Sequence, residues 1–265
     1  MSRFIRLGML TPSSNTVLEP VTVAMLAQLG EVTAHFSRFK VTEIALSAQA
    51  LGQFDDSEIL RAAELLAHAR VNVIAWNGTS ASWLGFERDE RLCERIAAAT
   101  GIPACTSVLA FREIFERKGV RRVGLVTPYR HDVQAKIAAN WAASGFVCTA
   151  ERHLGLQDNF SFAEIAEAEI ADMVRAVARE GCDAVAIVCT NMRAAPVVDA
   201  LEREIGLPVY DSVATTLWKS LAMSGTDPAR VQGWGSLFAG APPRLAGAAG
   251  SPAARRAQNR AVQSA

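Results

Sequence analysis

The chain lacks a net charge. Its 265 residues hold 27 Lys and Arg against 27 Asp and Glu, so there is no electrostatic case for nucleic acid or an anionic membrane as partner. It lacks paired cysteines. The five present, Cys93, Cys105, Cys148, Cys182 and Cys189, are odd in number and show no C-x-x-C spacing. That reads as the reduced thiols of a cytoplasmic protein, without disulfides or structural zinc. Histidine is scarce: four residues lie far apart, none four positions from another, and no metal site is expected. The apolar stretch at 4–10 is short and interrupted by Arg6, so neither a membrane span nor a signal peptide is expected. There is no G-x-x-x-x-G-K-[ST], no G-x-G-x-x-G after a strand and no G-x-S-x-G elbow. Nucleotide cofactors and a serine-hydrolase triad therefore lack support, and the chain is expected to work without a cofactor.

What is present is a core. Half the residues are hydrophobic and a fifth are charged, as in ordinary globular domains. The charge is unevenly spread. From residue 241 onward there are Arg244, Arg255, Arg256 and Arg260 and no acid. This stretch is rich in Ala, Gly, Pro and Ser and is expected to be disordered. Four arginines are thin grounds for a nucleic-acid arm.

Apolar runs alternate with amphipathic stretches. Strands are expected near 5–10, 32–36 (continuing at 39–42 beyond a kink), 72–76, 103–105, 122–127, 146–150, 184–188 and 208–210. Helices are expected near 16–29, 56–68, 89–99, 108–118, 133–144, 162–180, 195–205 and 213–223. Strands alternating with helices of this length imply parallel sheets with helices on both faces.

The order restarts halfway. R-L-G-M-L-T-P at 6–12 matches R-V-G-L-V-T-P at 122–128. G-I-P-A-C-T-S-V-L-A at 101–110 matches G-L-P-V-Y-D-S-V-A-T at 206–215, and V-I-A-W-N-G-T at 73–79 is the counterpart of V-A-I-V-C-T at 185–190. The fold class expected is α/β: two pseudo-symmetric parallel-sheet halves with the active site in the cleft between them. Residues 1–115 with 212–240 form one half, 116–211 the other, and 241–265 the tail. In such sheets ligands sit outside the carboxyl ends of the strands. Those ends carry 12–16, 78–80, 128–131 and 189–191, all rich in hydroxyls, amides and small residues, suited to one small polar ligand.

Four features there could carry chemistry. Cys189 ends a buried strand ahead of a helix, where a helix N-terminus favours thiolate. The alternative is a small buried core residue. G-T-S at 78–80 offers close backbone approach and two hydroxyls, suited to a carboxylate, or else a turn with local hydrogen bonds. P-S-S-N-T at 12–16 could cap the next helix, but capping accounts for one or two of the five residues. Tyr129 is one of two tyrosines, and a phenol is a good carboxylate donor. Arg38 and Lys40 read as a solvated strand end. Trp76, Trp83 and Phe39 are placed to line a pocket.

In these residues the sequence resembles the aspartate/glutamate racemase superfamily, and within it the branch of maleate cis-trans isomerase and arylmalonate decarboxylase, over about residues 5–238. P-S-S-N-T with Asn15, Tyr129 in T-P-Y, and Asn159 resemble substrate-binding positions of the isomerase. Cys189 and Thr190, in V-C-T, match the second cysteine of the superfamily and its neighbour. Gly78, Thr79 and Ser80 look instead like the decarboxylase, where hydroxyls and backbone amides help form a dioxyanion hole with the tyrosine. Racemases and the isomerase place a first cysteine where this chain has Gly78, and Asn191 replaces a histidine typical of amino-acid racemases. The resemblance thus implies a small dicarboxylate substrate and a one-thiol reaction: decarboxylation of an α-substituted malonate, with Cys189 protonating an enediolate and Asn15, Thr79, Ser80 and Tyr129 holding the retained carboxylate. The alternatives are a maleate-type isomerase and a catalytically silent dicarboxylate-binding protein. A homo-oligomer is compatible with the sequence.

Overall fold

A computed structural model describes residues 4–53 and 56–239. The tail expected to be disordered lies outside the described residues. The first half runs β1 (Ile5–Pro12), α1 (Leu18–Leu26), β2 (Val32–Phe39), α2 (Ala48–Gly52), α3 (Asp56–His68), β3 (Val73–Trp76), α4 (Ala81–Leu84), α5 (Phe86–Thr100), β4 (Ala104–Thr106) and α6 (Ser107–Lys118). The second runs β5 (Arg122–Thr127), α7 (His131–Ala143), β6 (Val147–His153), a 3-10 turn (Ser161–Glu164), α8 (Glu167–Arg179), β7 (Ala184–Ile187), α9 (Ala195–Ile205), β8 (Val209–Asp211) and α10 (Ser212–Met223).

Each half carries one four-stranded, wholly parallel sheet. The orders are β2-β1-β3-β4 and β6-β5-β7-β8, the same path twice, as the internal repeat requires. Every residue of the central strands β3 and β7 is buried. A strand covered by helices on both faces needs a continuous apolar run, and V-I-A-W and A-V-A-I supply it. The two strands begin at 73 and 184, the same spacing as Gly78 and Cys189, so these two residues leave equivalent strands at equivalent points. α10 lies against β3, β4, α1 and α6 of the first half.

Tertiary contacts reshape several expected elements. β2 is unbroken to Phe39, and the chain turns away only after it. The single helix expected at 162–180 is a 3-10 turn followed by α8, because Ile165 and Ala166 are extended (ψ 125° and 140°). Phe162, on the turn, is fully buried and meets the Tyr129 ring edge-on at 5.6 Å. Docking of one aromatic ring overrides the helical period. Two short helices, α2 and α4, carry too few residues for a period to show.

Two carboxylates are buried with the core. Asp211 caps α10, accepting from Val213 N (2.8 Å) and Ala214 N (3.0 Å). Asp89 sits in the first turn of α5, 1 % exposed. Burial pushes both up to about 7, against the backbone N–H groups for Asp211 and the Thr106 hydroxyl for Asp89. Their folded values exceed the unfolded value, so between about pH 4 and 7 the folded chain holds protons that the unfolded chain has lost. Their contribution is greatest near pH 4 and falls as pH rises to 7, by on the order of a few kcal/mol per group. Asp89→Asn and Asp211→Asn should therefore flatten the pH dependence of unfolding over this window. Urea titrations of the wild type and the two variants at pH 4.5 and 7.5 measure it, and parallel behaviour of all three would contradict these protonation states.

Candidate active site

The carboxyl ends of four strands meet at one cavity. It is lined by Pro12 from the end of β1, Trp76, Gly78, Thr79 and Ser80 from β3 onward, Tyr129 after β5, and Cys189 and Thr190 after β7, with Val41, Ile44, Trp83 and Asn159 around them. Its volume is about 20 Å3, enough for about one water. Among the described residues no charged side chain lines it. Seven of the eight site residues expected from sequence are there. Phe39 stands one layer back, its ring 5.0 Å from that of Trp76.

Asn15, the eighth, does not line the cavity. It is fully buried and its amide is committed. Its oxygen accepts from Val17 N (3.0 Å) and Leu18 N (2.9 Å), capping α1, and its nitrogen donates to Thr190 Oγ1 (3.0 Å). Thr190 donates in turn to the Asn77 carbonyl (2.9 Å). Asn15 thus braces the residue beside Cys189 instead of reaching the cavity. Asn191 makes a second brace. Its oxygen accepts from Thr16 N (3.0 Å) and Val17 N (3.3 Å), and its nitrogen donates to the Asn159 carbonyl (2.5 Å). A side chain of the second half thereby helps cap a helix of the first. Sequence alone marked Asn191 only as a missing histidine; an amide at a strand end has no local signature of what it will cap.

Arg38 is not free to meet a substrate. It pairs with Glu19 (2.7 Å) and donates to the carbonyls of Ser13 and Asn15 (both 2.9 Å), fixing the 12–16 turn. Ser14 donates to the Val41 carbonyl (2.7 Å) and accepts from Asn159 Nδ2 (2.8 Å).

The cavity roof is a strap of two segments from opposite halves. Residues 42–44 and 157–159 pair through Ile44 N to the Gln157 carbonyl and Asn159 N to the Thr42 carbonyl, both 2.9 Å, with an antiparallel bridge between Glu43 and Asp158. Val41 and Ile44 point their apolar mass at the cavity. Neither was foreseen, since a short segment between a strand and a helix has no period to read.

The thiol differs from expectation. α9 begins only at Ala195, so Cys189 is not at its N-terminus. Cys189 is 2 % exposed, and burial pushes its thiol up to about 12, although the Asn191 N–H (3.4 Å from the sulfur) and the Tyr129 hydroxyl pull it down. Desolvation outweighs the donors, and Cys189 is a protonated thiol at neutral pH. The Tyr129 hydroxyl shares a 2.6 Å hydrogen bond with Thr79 Oγ1, and its ring is held edge-on by Trp83 (5.4 Å) and Phe162 (5.6 Å). Burial and the neighbouring Cys189 raise Tyr129 well above the ordinary phenol range, so it too is a proton-bearing donor. A neutral thiol beside neutral hydroxyls in a buried cavity lined by uncharged side chains can receive an anion through hydrogen bonds and give it a proton.

Among the described residues no group of three or more His, Cys, Asp or Glu is placed to hold a metal ion, and no helix is long and apolar enough to cross a membrane.

The chain is similar in sequence and fold to known proteins. A maleate isomerase of Pseudomonas putida is 28 % identical over 253 residues, covering 91 % of this chain and all of its own. The arylmalonate decarboxylase of Bordetella bronchiseptica is 31 % identical over 169 residues, 63 % of this chain and 70 % of its own. Among solved structures, a cysteine-to-serine variant of the maleate cis-trans isomerase of Nocardia farcinica, with a covalently bound succinylcysteine intermediate, superposes with a TM-score of 0.79 at 26 % identity, covering 89 % of this chain and 98 % of its own. These relatives are enzymes of one branch whose activities differ, an isomerase and a decarboxylase. The sequence pattern of the arylmalonate decarboxylase family matches residues 9–238, and the chain belongs to that family.

Proposed function

We propose that the protein is a cofactor-independent decarboxylase of an α-substituted malonate. One observation carries this reading: Cys189 is the single thiol among the cavity's lining residues, and its burial favours the neutral, proton-bearing form. Cys93, Cys105, Cys148 and Cys182 lie elsewhere. A reaction that needs an acid and a base on opposite faces of a carbon lacks its second group. A reaction that needs one proton donor has it.

One carboxylate of the substrate accepts hydrogen bonds from Thr79, Ser80 and Tyr129. The other lies against the apolar wall, where a charge without donors is destabilised. The bond between the α-carbon and this second carboxylate breaks, carbon dioxide leaves, and the electron pair delocalises into the retained carboxylate as an enediolate. The donors that held the carboxylate face the charge that develops on it, so their hydrogen bonds strengthen as the reaction proceeds. The Cys189 thiol gives its proton to the α-carbon, and the resulting thiolate takes a proton from water.

A maleate-type isomerase is the second reading, favoured by the relative of that name that spans this chain almost throughout. It would use a thiolate nucleophile, and burial disfavours one here. The test is a side-by-side assay of 2-aryl-2-methylmalonate and maleate without added cofactor. Carbon dioxide from the malonate with no fumarate from maleate is expected. Fumarate formation with intact malonate would replace this reading by the second.

A further inference from the structure

Gly78 has no room for a side chain. A Cβ built on it would stand 1.9, 2.3 and 2.4 Å from three ring atoms of Trp76, far inside any van der Waals separation. Trp76 is the last residue of β3, and Gly78 follows two residues later, beyond the strand end. The indole lies over position 78. It cannot easily leave, being 1 % exposed and backed by the Phe39 ring. The same indole lines the cavity beside Cys189.

We propose that Trp76 is the specificity-determining residue of this site: its indole occupies the place of a side chain at position 78 and forms the wall that limits the size of the substrate's α-substituent. Gly78 and Trp76 are then one unit. The glycine is required by the ring, and the ring excludes a second thiol. On the side of Gly78 the ligand meets the indole where a second thiol would otherwise stand, and Cys189 is the one thiol among the lining residues. The substrate class rests on the decarboxylase reading; the Trp76–Gly78 coupling does not.

The experiment is a double-mutant cycle of Gly78→Cys and Trp76→Ala, with Trp76→Phe as a milder second background, read by thermal unfolding and by calorimetric binding of 2-substituted propionates of increasing bulk. Gly78→Cys in the wild type should lower Tm by about 5 °C or more, as overpacking does. In the Trp76→Ala background the same change should cost nothing or raise Tm. Relative affinity for the bulkiest over the smallest acid should rise at least tenfold on Trp76→Ala, and by less on Trp76→Phe. Equal Tm shifts for Gly78→Cys in all backgrounds, or size preference unchanged by both Trp76 variants, would overturn the proposal. Neither readout needs turnover, so a wild type that fails to decarboxylate any malonate removes the reaction assignment and leaves these outcomes to decide the wall.

Discussion

Replacing Cys189 by alanine is expected to lower kcat for malonate decarboxylation by roughly 10²- to 10⁴-fold, the contribution of a positioned general acid. Alanine removes one buried sulfur from a site whose neighbours are fixed by other bonds. Thr190 stays tied to Asn15 and Asn77, and Asn191 to the turn ahead of α1. Tyr129 loses its contact with the thiol but keeps its bond to Thr79, so KM should change by no more than a few-fold while kcat collapses. A loss in KM alone would assign Cys189 to binding instead. The protonation state adds a signature. With the thiol pushed up to about 12, it remains an acid across the ordinary range, and kcat should show no fall attributable to its ionisation between pH 7 and 10. A wild-type kcat that drops below pH 9 as a single group deprotonates, with the drop absent from a Cys189→Ser variant, would contradict a neutral thiol donor.

Tyr129→Phe carries the second large effect, a loss of about 10²- to 10³-fold in kcat, corresponding to about 2.7–4 kcal/mol for one donor of an oxyanion hole. The ring itself is a structural part, wedged between Trp83 and Phe162, and phenylalanine preserves it. Only the hydroxyl goes, and with it the 2.6 Å bond to Thr79. If the hydroxyl acted merely by orienting Thr79, then Thr79→Val and Tyr129→Phe would be equally damaging and the double variant no worse than either. If both groups face the retained carboxylate, the double variant loses more than each single one. Steady-state kinetics on the three proteins separates the cases, and a loss below threefold in Tyr129→Phe would remove it from the transition state.

Much of this site was legible because the repeat is legible. Matching R-L-G-M-L-T-P to R-V-G-L-V-T-P and aligning Gly78 with Cys189 needs only local order, and strand ends follow from apolar runs. The features that sequence hid are those in which one half of the molecule supplies what the other lacks. The strap at 42–44 exists only because 157–159 arrives beside it. Asn15 reads as a ligand-binding amide until Thr190 is seen to take its nitrogen. The thiol's acidity depends on how much water the facing half excludes, which no spacing encodes. Trp76 and Gly78 are the exception: two residues apart in the chain, they were within reach of a local argument that asks what a glycine makes room for.

The buried bonds across the strand ends divide labour between parts of the molecule. Opening the two halves like a jaw would strip partners from Asn15, Thr190 and the Asn191 side-chain oxygen at once, leaving buried donors and acceptors unmet at about 1–3 kcal/mol each. The strap is held by two backbone bonds and by the side chains of Gln157 and Asn159, and with Thr42 and Asp158 exposed it is the part of the wall nearest solvent. A cavity with room for one water must enlarge to admit a dicarboxylate, and the roof can do so while the floor keeps thiol, hydroxyls and strand ends in register.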